Sequence, residues 1–575
     1  MVRAIAVLRL AAAAAILAQS VAAVRIVSGP PQTSIPRAST ATSPDPAGEL
    51  DLSDPRLVRK VTGFQPEGLH LQQWTSDSVL VSWQTGAELV FPTGSPPSRQ
   101  PYDPKSVAAF VKYGTRSNKY SWTIRGDDST VYSQVYDARG GNTTYYSPVL
   151  HHVRLSNLKP GQTYFYIVGN DKDGWSQEKS FNLPKPGFPV RFGFIGDLGE
   201  TANSSDTLQH LAYNEPDVIV LTGDFVYADN HASNNPGNPP STNTCSVACT
   251  YQPRWDAWQR FLEPYLSTTP LVSCKGNHEI EAQVAVAGRP AFAAANARFP
   301  YPQASQQLGA GAGFECREPR GFLLAHDRVS QPASPTPPTR SGFKNEATFQ
   351  PVSAYYSVDY PGVAHIVSLG SYVPWGVDSA QYKWLVQDLA SVDRARTPWL
   401  IVIYHVPPYH SYNTHYKEAD AFQSVYESLF VTYDVDLVLH GHVHAYERTY
   451  PMAYYQRVQD GPMYITIGDA GNIEGLYKLP SYQPTPGART PYTLQNGDFC
   501  YSKQPDWSAF RQPSFGHGIL DIQSPTTARW RWHRNSEGFA VVADDVVISR
   551  SPGKGEGEDK PGKGEGKKKG KRPGL

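Results

Sequence analysis

Polar side chains suited to binding metal ions follow five apolar segments between residues 190 and 445, each where a predicted strand ends. They lie in five motifs, namely Gly196-Asp197-Leu198-Gly199, Gly223-Asp224 with Tyr227, Gly276-Asn277-His278-Glu279, His405, and Gly441-His442-Val443-His444. The glycines permit sharp turns and bring short side chains to the sheet edge. One Gly-Asp pair alone usually marks a turn, and Gly468-Asp469-Ala470-Gly471 has the same form as the first motif. Five motifs at five strand ends, however, predict a shared site.

The donor types in these motifs match a site for two metal ions. The candidate ligands are Asp197, Asp224, Tyr227, Asn277, His405, His442 and His444. Two four-coordinate ions have to share one of them, and the carboxylate of Asp224 can bridge. Anionic oxygens suit a trivalent ion such as Fe(III), whereas imidazole and amide suit Zn(II), Mn(II) or Fe(II). Two ions about 3.5–4 Å apart can hold a phosphoryl group and a hydroxide for in-line attack, and a trivalent ion predicts activity at acidic pH.

The ordered motifs resemble those of the purple acid phosphatases, within the metallophosphoesterase superfamily. Tyr227 is the discriminating residue, because most other metallophosphoesterases lack it. The similarity covers about residues 60–550 and continues outside the site, in the segments 251–255, 381–385, 444–448 and 514–518. The resemblance implies a secreted acid phosphatase that hydrolyses phosphate monoesters by attack of a metal-bound hydroxide.

The resemblance also implies a role for each site residue. Fe(III) is expected on Asp197, Asp224, Tyr227 and His444, and the divalent ion (Zn, Mn or Fe) on Asp224, Asn277, His405 and His442. A phenolate of Tyr227 on Fe(III) accounts for the family's purple colour. His278 resembles the histidine that binds phosphate or assists the leaving group, and His415 the one that can protonate the leaving oxygen. Some plant members have a histidine pair where this chain has Thr414-His415, a difference that bears on leaving-group handling.

The segments that carry the motifs alternate predicted strands with predicted helices. Apolar runs end at Ile195, Leu221, Val272, Tyr404, Leu439 and Ile467. Helical spacing of apolar residues predicts amphipathic helices around 382–389 and 422–430. The alternation predicts an α/β layered domain with ligands at the strand ends. With the resemblance, the expected fold over residues 187–550 is a calcineurin-like metallophosphoesterase β-sandwich flanked by helices, in which 303–350 is an irregular insertion.

Residues 57–186 predict an all-β domain that precedes the α/β domain. Short alternating strands are indicated at 79–83, 109–113, 152–155 and 163–168, with turn signals between them. The segment from Leu158 to Tyr164 resembles the strand corner of fibronectin type III domains, and Trp83 is placed like their core tryptophan. These residues are expected to pack in the interior of the domain and to take no part in catalysis.

The first residues of the sequence are typical of a targeting signal, and the last residues are typical of a disordered tail. Residues 1–23 combine two arginines with a short apolar run and a small-residue cleavage site, which is typical of a signal peptide. Residues 24–56, rich in Pro, Ser and Thr, predict a linker. Residues 551–575 hold eight basic and four acidic residues and predict a disordered tail, which either solubilises the protein or binds an acidic matrix. We therefore expect a secreted protein of the cell wall or matrix, with the vacuole as an alternative, and no transmembrane segment.

Charge and cysteine content restrict the partners. The chain has 52 basic and 52 acidic residues, and this balance argues against a nucleic-acid binder. The resemblance implies small phosphate esters as the partners. The five cysteines allow at most two internal disulfides. The apolar strand pattern around Cys274 predicts a buried thiol, and the pairing of the other cysteines stays open. No cysteine lies between Arg448 and Gly461, where some plant homodimers are linked, which argues against a disulfide-linked dimer. The sequons at Asn142 and Asn203 predict a glycoprotein.

Three alternatives for function follow from the sequence. The first is the phosphomonoesterase, with phytate as a candidate substrate, because residues 245–254 partly resemble a loop of plant members with phytase activity. The second is a phosphodiesterase or nucleotide pyrophosphatase on the same site. The third is a non-catalytic cell-wall binding protein with a vestigial metal site, against which the complete ligand set argues. Glu279, Glu447 and Arg448 are predicted to brace strand ends, and His440 is predicted to support the site or the fold without binding a metal.

Overall fold

The structure is a computed structural model, and it describes residues 49–86, 101–138, 141–230, 250–281, 291–302, 354–477, 499–500, 504–536 and 539–550. The predicted signal peptide, the insertion 303–350, the tail 551–575 and most of the predicted linker lie outside the described residues. So do Cys245, Cys249 and Cys316. Within the described ranges, no helix is long and apolar enough to cross a membrane.

The described residues form the following strands and α-helices. The strands before residue 186 are β1 (Glu67–Thr75), β2 (Ser78–Thr85), β3 (Ala109–Gly114), β4 (Trp122–Gly126), β5 (Ser133–Ala138), β6 (Gly141–Tyr146), β7 (Val149–Leu155), β8 (Thr163–Asn170), β9 (Gly174–Trp175) and β10 (Lys179–Asn182). The next are β11 (Val190–Ile195), β12 (Val218–Leu221), β13 (Leu271–Ser273), β14 (Tyr356–Tyr360), β15 (Ala364–Ser368), β16 (Trp399–Ile403) and β17 (Leu437–His440). The last are β18 (Tyr446–Ala453), β19 (Gln456–Arg457), β20 (Met463–Ile467), β21 (Ser508–Gln512), β22 (Gly516–Ile522), β23 (Thr527–Ser536) and β24 (Phe539–Ser549). The helices are α1 (Ala202–Tyr213), α2 (Pro253–Leu266), α3 (Ala293–Arg298), α4 (Ala380–Ser391) and α5 (Asp420–Thr432).

Two large sheets share the central hydrophobic core. The first sheet has the order β24-β23-β22-β11-β12-β13-β1-β2-β7, and the second has the order β14-β15-β16-β17-β20-β18-β19 with β21 also paired to β18. Strands β11 to β13 are parallel, as are β15, β16, β17 and β20. The core contains Phe192, Phe194 and Val220 from the first sheet and Ile401, Ile403 and Leu439 from the second, together with Cys274, which is buried as predicted. Parallel strands are buried on both faces, which explains the continuous apolar runs in the sequence.

Helices cover the outer faces of both sheets. In the first sheet, α1 and α2 bury Leu208, Leu211, Trp255 and Trp258 against Ile219 and Leu221. In the second sheet, α4 and α5 bury Trp384, Leu385, Phe422 and Tyr426 against Val402 and Val438. Helix α4 begins at the side chain of Ser379, which accepts a hydrogen bond from the backbone N–H of Tyr382 (3.1 Å). The predicted sandwich flanked by helices is therefore confirmed, as are both predicted helices.

The N-terminal strands form an all-β region, as predicted. Strands β1, β2 and β7 pack against the sheet β10-β8-β3-β4, and Trp83 is buried between them. At the strand corner, the hydroxyl of Tyr164 accepts a hydrogen bond from the backbone N–H of Lys159 at 2.8 Å. This contact ties the turn to strand β8.

The first sheet continues from the N-terminal region into the central sandwich, a feature that the sequence did not predict. Strand β1 pairs in parallel with β13 through Gln72 and Leu271. Residues 49–56, assigned to the linker from composition, also pack on this part of the molecule. Leu50 is buried and its N–H donates to the carbonyl of Glu200 at 2.9 Å. The loop after β11 is therefore held by a segment that precedes the all-β region in the chain.

Candidate metal centre

The seven candidate ligands lie at the carboxyl ends of parallel strands from both sheets. Asp197, Asp224 and Asn277 follow β11, β12 and β13 of the first sheet, and Tyr227 comes three residues after Asp224. His405 follows β16 of the second sheet, and His442 and His444 follow β17. All of these except Asn277 are buried. The first sheet thus supplies oxygen donors, and the second supplies nitrogen donors.

The turns after the strands have strained backbone at the candidate ligands themselves. Asp197, Asp224, Tyr227 and His442 have φ values of 57°, 52°, 61° and 67°. The left-handed region is uncommon for residues other than glycine, and such residues cluster at functional sites. The glycines serve a second purpose, because a Cβ atom on Gly276 or Gly441 would collide with the carboxylate of Asp224 or Asp197. These two glycines are needed for close approach to the carboxylates rather than for a turn.

Four of the candidate ligands form a first cluster of donor atoms. Nε2 of His405 lies 2.9 Å from Oδ2 of Asp224 and 3.1 Å from Oδ1 of Asn277. Nδ1 of His442 lies 3.0 Å from the same Asn277 oxygen. One donor atom each from Asp224, His405 and His442 can be chosen so that all three lie within 4.8 Å of one another.

The hydrogen bonding of this cluster fits a cation between its donor atoms. Nδ1 of His405 lies 2.8 Å from the carbonyl oxygen of Thr222, so an N–H at Nδ1 donates there and Nε2 is the ring atom that faces Asp224. Oδ2 of Asp224 is buried, and no hydrogen-bond donor is aligned on it within the described ranges. Although burial lowers the pKa of His405, the charges of Asp224 and Asp197 raise it to about 9. The position therefore favours positive charge.

A second cluster joins Asp197, Tyr227 and His444. The hydroxyl of Tyr227 lies 3.2 Å from Oδ1 of Asp197 and 3.1 Å from Nε2 of His444. Nδ1 of His444 lies 3.0 Å from the carbonyl oxygen of Gly475, which turns Nε2 towards the other two donors. Both oxygens of Asp197 accept the backbone N–H of His442, at 2.9 and 2.8 Å. A phenol, a carboxylate and an imidazole thus converge, and two of the three offer oxygen.

The two histidines predicted to act on the substrate lie beside these clusters. The ring of His278 packs on that of Tyr227 with 4.0 Å between centroids, and its Nδ1 lies 2.8 Å from Oδ1 of Asp229. Although burial lowers the pKa of His278, the charges of Asp229 and Asp224 raise it above its usual range, which favours the cationic ring. The ring of His415 lies 3.9 Å from that of His442, and its Nε2 lies 3.1 Å from the hydroxyl of Tyr477.

Sequence reasoning missed several polar side chains at this centre. Oε2 of Glu418 contacts Nδ1 of His415 at 2.6 Å, and the Tyr372 hydroxyl donates to Oδ1 of Asn277 at 3.3 Å. Glu474 lies 3.6 Å from Nε2 of His278 and 3.8 Å from Nδ1 of His444. None of these three directly follows a strand in a glycine motif, so the pattern used for the ligands does not reveal them. Glu474 does follow the Gly468–Gly471 motif.

Three carboxylates near the strand ends brace loops. Oxygens of Glu279 accept the backbone N–H groups of Asp224, Phe225 and Gly276 at 2.9, 2.7 and 2.8 Å. Glu447 accepts the backbone N–H of Ser411 at 2.7 Å. Asp469 accepts the indole N–H of Trp532 at 2.8 Å and joins neither donor cluster. Its motif supports the Asp197 loop, because the N–H of Ala470 donates to the carbonyl of Gly196 at 3.0 Å and that of Asn472 to the carbonyl of Asp197 at 3.2 Å.

Comparison with known proteins identifies the family of this chain. Family models match at residues 66–183 (purple acid phosphatase, N-terminal domain), 190–446 (calcineurin-like phosphoesterase) and 461–545 (iron/zinc purple acid phosphatase-like protein C). Purple acid phosphatase 15 of Arabidopsis thaliana is 37% identical over 88% of this chain and 89% of its own length. The chain belongs to the purple acid phosphatase family.

Further relatives agree with this family. Purple acid phosphatase 23 of Arabidopsis thaliana is 38% identical over 74% of this chain and 84% of its own length. A solved purple acid phosphatase from yellow lupin (Lupinus luteus) seeds has the same fold, with a TM-score of 0.57 at 20% identity over 85% of this chain and 75% of its own. As a purple acid phosphatase, the protein is a metal-dependent hydrolase of phosphate monoesters, and its family implies a dinuclear metal centre. The predicted enzyme class is confirmed.

Proposed function

We propose that this purple acid phosphatase is a secreted enzyme with an Fe(III) ion and a divalent ion, Zn, Mn or Fe, that acts on small phosphate monoesters at acidic pH. The observation that carries the proposal is the convergence of Asp224 Oδ2, His405 Nε2 and Asn277 Oδ1, three buried or part-buried acceptor atoms that a cation would satisfy. Secretion is supported by the signal-peptide pattern of residues 1–23.

The donor chemistry supports one ligand set for each ion. Asp197, Tyr227 and His444 would hold Fe(III), because a phenolate and a carboxylate are the hardest donors in the site. Asn277, His405 and His442 would hold the divalent ion, since amide and imidazole suit softer divalent metals. Asp224 would be shared between them. Such a pair of ions supplies positive charge for the phosphoryl oxygens and lowers the pKa of bound water.

The chain's own side chains would orient the phosphate and move one proton. The cationic ring of His278, held by Asp229, would attract a phosphoryl oxygen. His415 would donate the proton at Nε2 to the leaving oxygen, because its Nδ1 is engaged by Glu418. Burial of Asp197, Asp224 and His405 keeps water from screening the charges at the reacting phosphate.

Metal analysis with a visible spectrum tests this assignment. We expect iron and a divalent metal in equal amounts, together with a tyrosinate-to-iron band that disappears in Tyr227→Phe. A protein purified without iron and without colour, yet fully active, would contradict the Fe(III) assignment. A Tyr227→Phe protein that keeps the band would contradict the role of Tyr227.

The choice of substrate is tested by comparing esters. We expect faster turnover of p-nitrophenyl phosphate than of bis(p-nitrophenyl) phosphate, and dominant diester cleavage would favour the phosphodiesterase alternative. We also propose phytate as a substrate, on the resemblance of residues 245–254 to the loop of plant members with phytase activity. A kcat/KM for phytate far below that for p-nitrophenyl phosphate would argue against phytate.

A further inference from the structure

The carboxylate of Glu418 lies between two imidazoles of different predicted roles. Its Oε2 is 2.6 Å from Nδ1 of His415 and 3.1 Å from Nε2 of His442. Atoms of the three side chains lie within 4.8 Å of one another. Glu418 is about one-fifth exposed, whereas His442 is buried. One oxygen atom therefore faces both rings.

The orientation of His442 makes Glu418 its partner outside the first cluster. Nδ1 of His442 faces Oδ1 of Asn277, so a metal in this cluster would be bound through Nδ1. Nε2 then carries the proton and points at Glu418. A carboxylate that accepts the distal N–H of a metal-binding histidine fixes its tautomer and raises its basicity as a ligand.

The same carboxylate sets the orientation of His415. With Nδ1 held by Glu418, Nε2 of His415 points towards the hydroxyl of Tyr477. The backbone of His415 is also held, because it has a left-handed φ of 61° and its carbonyl oxygen lies 3.1 Å from Nε2 of His410. Glu418 itself lies two residues before helix α5. The loop thus holds His415 in one orientation.

We propose that Glu418 is a positioning residue that couples the divalent-metal ligand His442 to the leaving-group histidine His415. The inference rests on the proposed function, because it uses the roles given there to these histidines. A single negative charge would orient both rings, so the metal side and the leaving-group side of the site would depend on each other. Charge-assisted hydrogen bonds are about twice as strong as neutral ones, which makes an amide a weak substitute.

The first test measures metal retention. We expect Glu418→Gln protein loaded with Zn(II) to release zinc to a chelator about 10–100-fold faster than the unmodified enzyme. Glu427→Gln is the matched control, because Glu427 is buried on α5 and accepts a hydrogen bond from Tyr409 at 2.6 Å, and within the described part of the chain it forms no hydrogen bond or ion pair with either histidine. The control should release zinc at the unmodified rate. If Glu418→Gln does not fold, Glu418→Asp serves in its place, because the shorter side chain keeps the charge but withdraws the oxygen from the two rings, and this variant should also release zinc faster.

The second test measures dependence on the leaving group. If His415 is mispositioned in Glu418→Gln, kcat should fall more for phenyl phosphate than for p-nitrophenyl phosphate, because phenolate needs the proton more. In the double variant with His415→Ala, the two losses should not add. The proposal would be overturned if Glu418→Gln released zinc at the rate of the unmodified enzyme and also kept the same ratio of kcat for the two substrates. An unmodified enzyme without iron or divalent metal would instead refute the proposed function.

Discussion

The two large sheets contribute opposite halves of the metal centre, and they hold their donors in opposite ways. Carboxylates from the first sheet are held by backbone N–H groups: Asp197 by that of His442 and Asp224 by that of His278. Two imidazoles from the second sheet are turned by carbonyl oxygens, His405 by that of Thr222 and His444 by that of Gly475. Two of these supports cross between the sheets, since His442 follows β17 and Thr222 follows β12. The comparison shows that neither sheet orients its own donors alone.

The largest effect is expected from the carboxylate that both ions would share. Asp224→Asn should lower kcat/KM by roughly 10³-fold or more, equivalent to about 4 kcal/mol, and should reduce the content of both metals. His405→Ala, on the second sheet, should lose the divalent ion and keep iron. Metal analysis with p-nitrophenyl phosphate kinetics measures both effects.

Asp469→Asn is the control for the loss of a buried carboxylate. Burial raises the pKa of Asp469 well above its usual range, which favours the neutral acid, and an amide has nearly the same shape. This variant should keep both metals. Iron loss from His405→Ala equal to that from Asp224→Asn would show that the sheets do not divide the ligands as proposed.

The bracing residues Glu279 and Glu447, one from each sheet, should differ in the cost of replacing a carboxyl oxygen by an amide NH₂. Glu279→Gln should lower the free energy of unfolding by about 1–3 kcal/mol, because its three partners are backbone N–H groups that cannot rotate away from an amide NH₂. Glu447→Gln should cost less, since it also accepts from the hydroxyls of Ser411 and Ser508, which can reverse their hydrogen bonds. Urea unfolding of the metal-free proteins compares the two. Equal losses would show that rotation of the hydroxyls does not matter.

The smallest effect is expected from His365, which lies near the amino end of strand β15, away from the strand ends that carry the site. Its ring lies between two carboxylates, those of Asp359 (2.6 Å) and Asp388 (3.0 Å). Burial lowers its pKa, yet hydrogen bonds to these two carboxylates raise it to about 9. Because the folded-state pKa exceeds the unfolded one, the stabilisation is complete below about pH 6.5 and is lost as the pH rises through 9.

His365→Gln should therefore lower the free energy of unfolding by roughly 3 kcal/mol at pH 5–6, and the difference should shrink towards pH 10. Unfolding by urea across this pH range measures it, and kcat should not change. A loss that is independent of pH would show that packing, and not the proton, is what His365 contributes. The contrast with His405 is that a proton satisfies the carboxylates beside His365, whereas a metal is proposed beside His405.

Much of the fold was predictable because it is encoded in local patterns. The apolar runs before Asp197, Asp224 and His405 are strands buried on both faces, and the periodicity around Phe422 is that of an amphipathic helix. The continuation of the first sheet through β1 was not predictable. It depends on the pairing of Gln72 with Leu271, and nothing in the segment around β1 indicates its partner.

The sequence by itself determined the donor types and the strands that carry them, because parallel strands deliver their carboxyl ends to one edge of a sheet. Only the tertiary structure decided which imidazole nitrogen faces the centre and which side chains lie behind the ligands. The N–H of His442 reaches Asp197 across 245 positions of the chain, and Glu418 and Glu474 reach the site from loop positions outside the five ligand motifs. Such contacts depend on how two sheets pack, and that packing leaves no local pattern in the sequence.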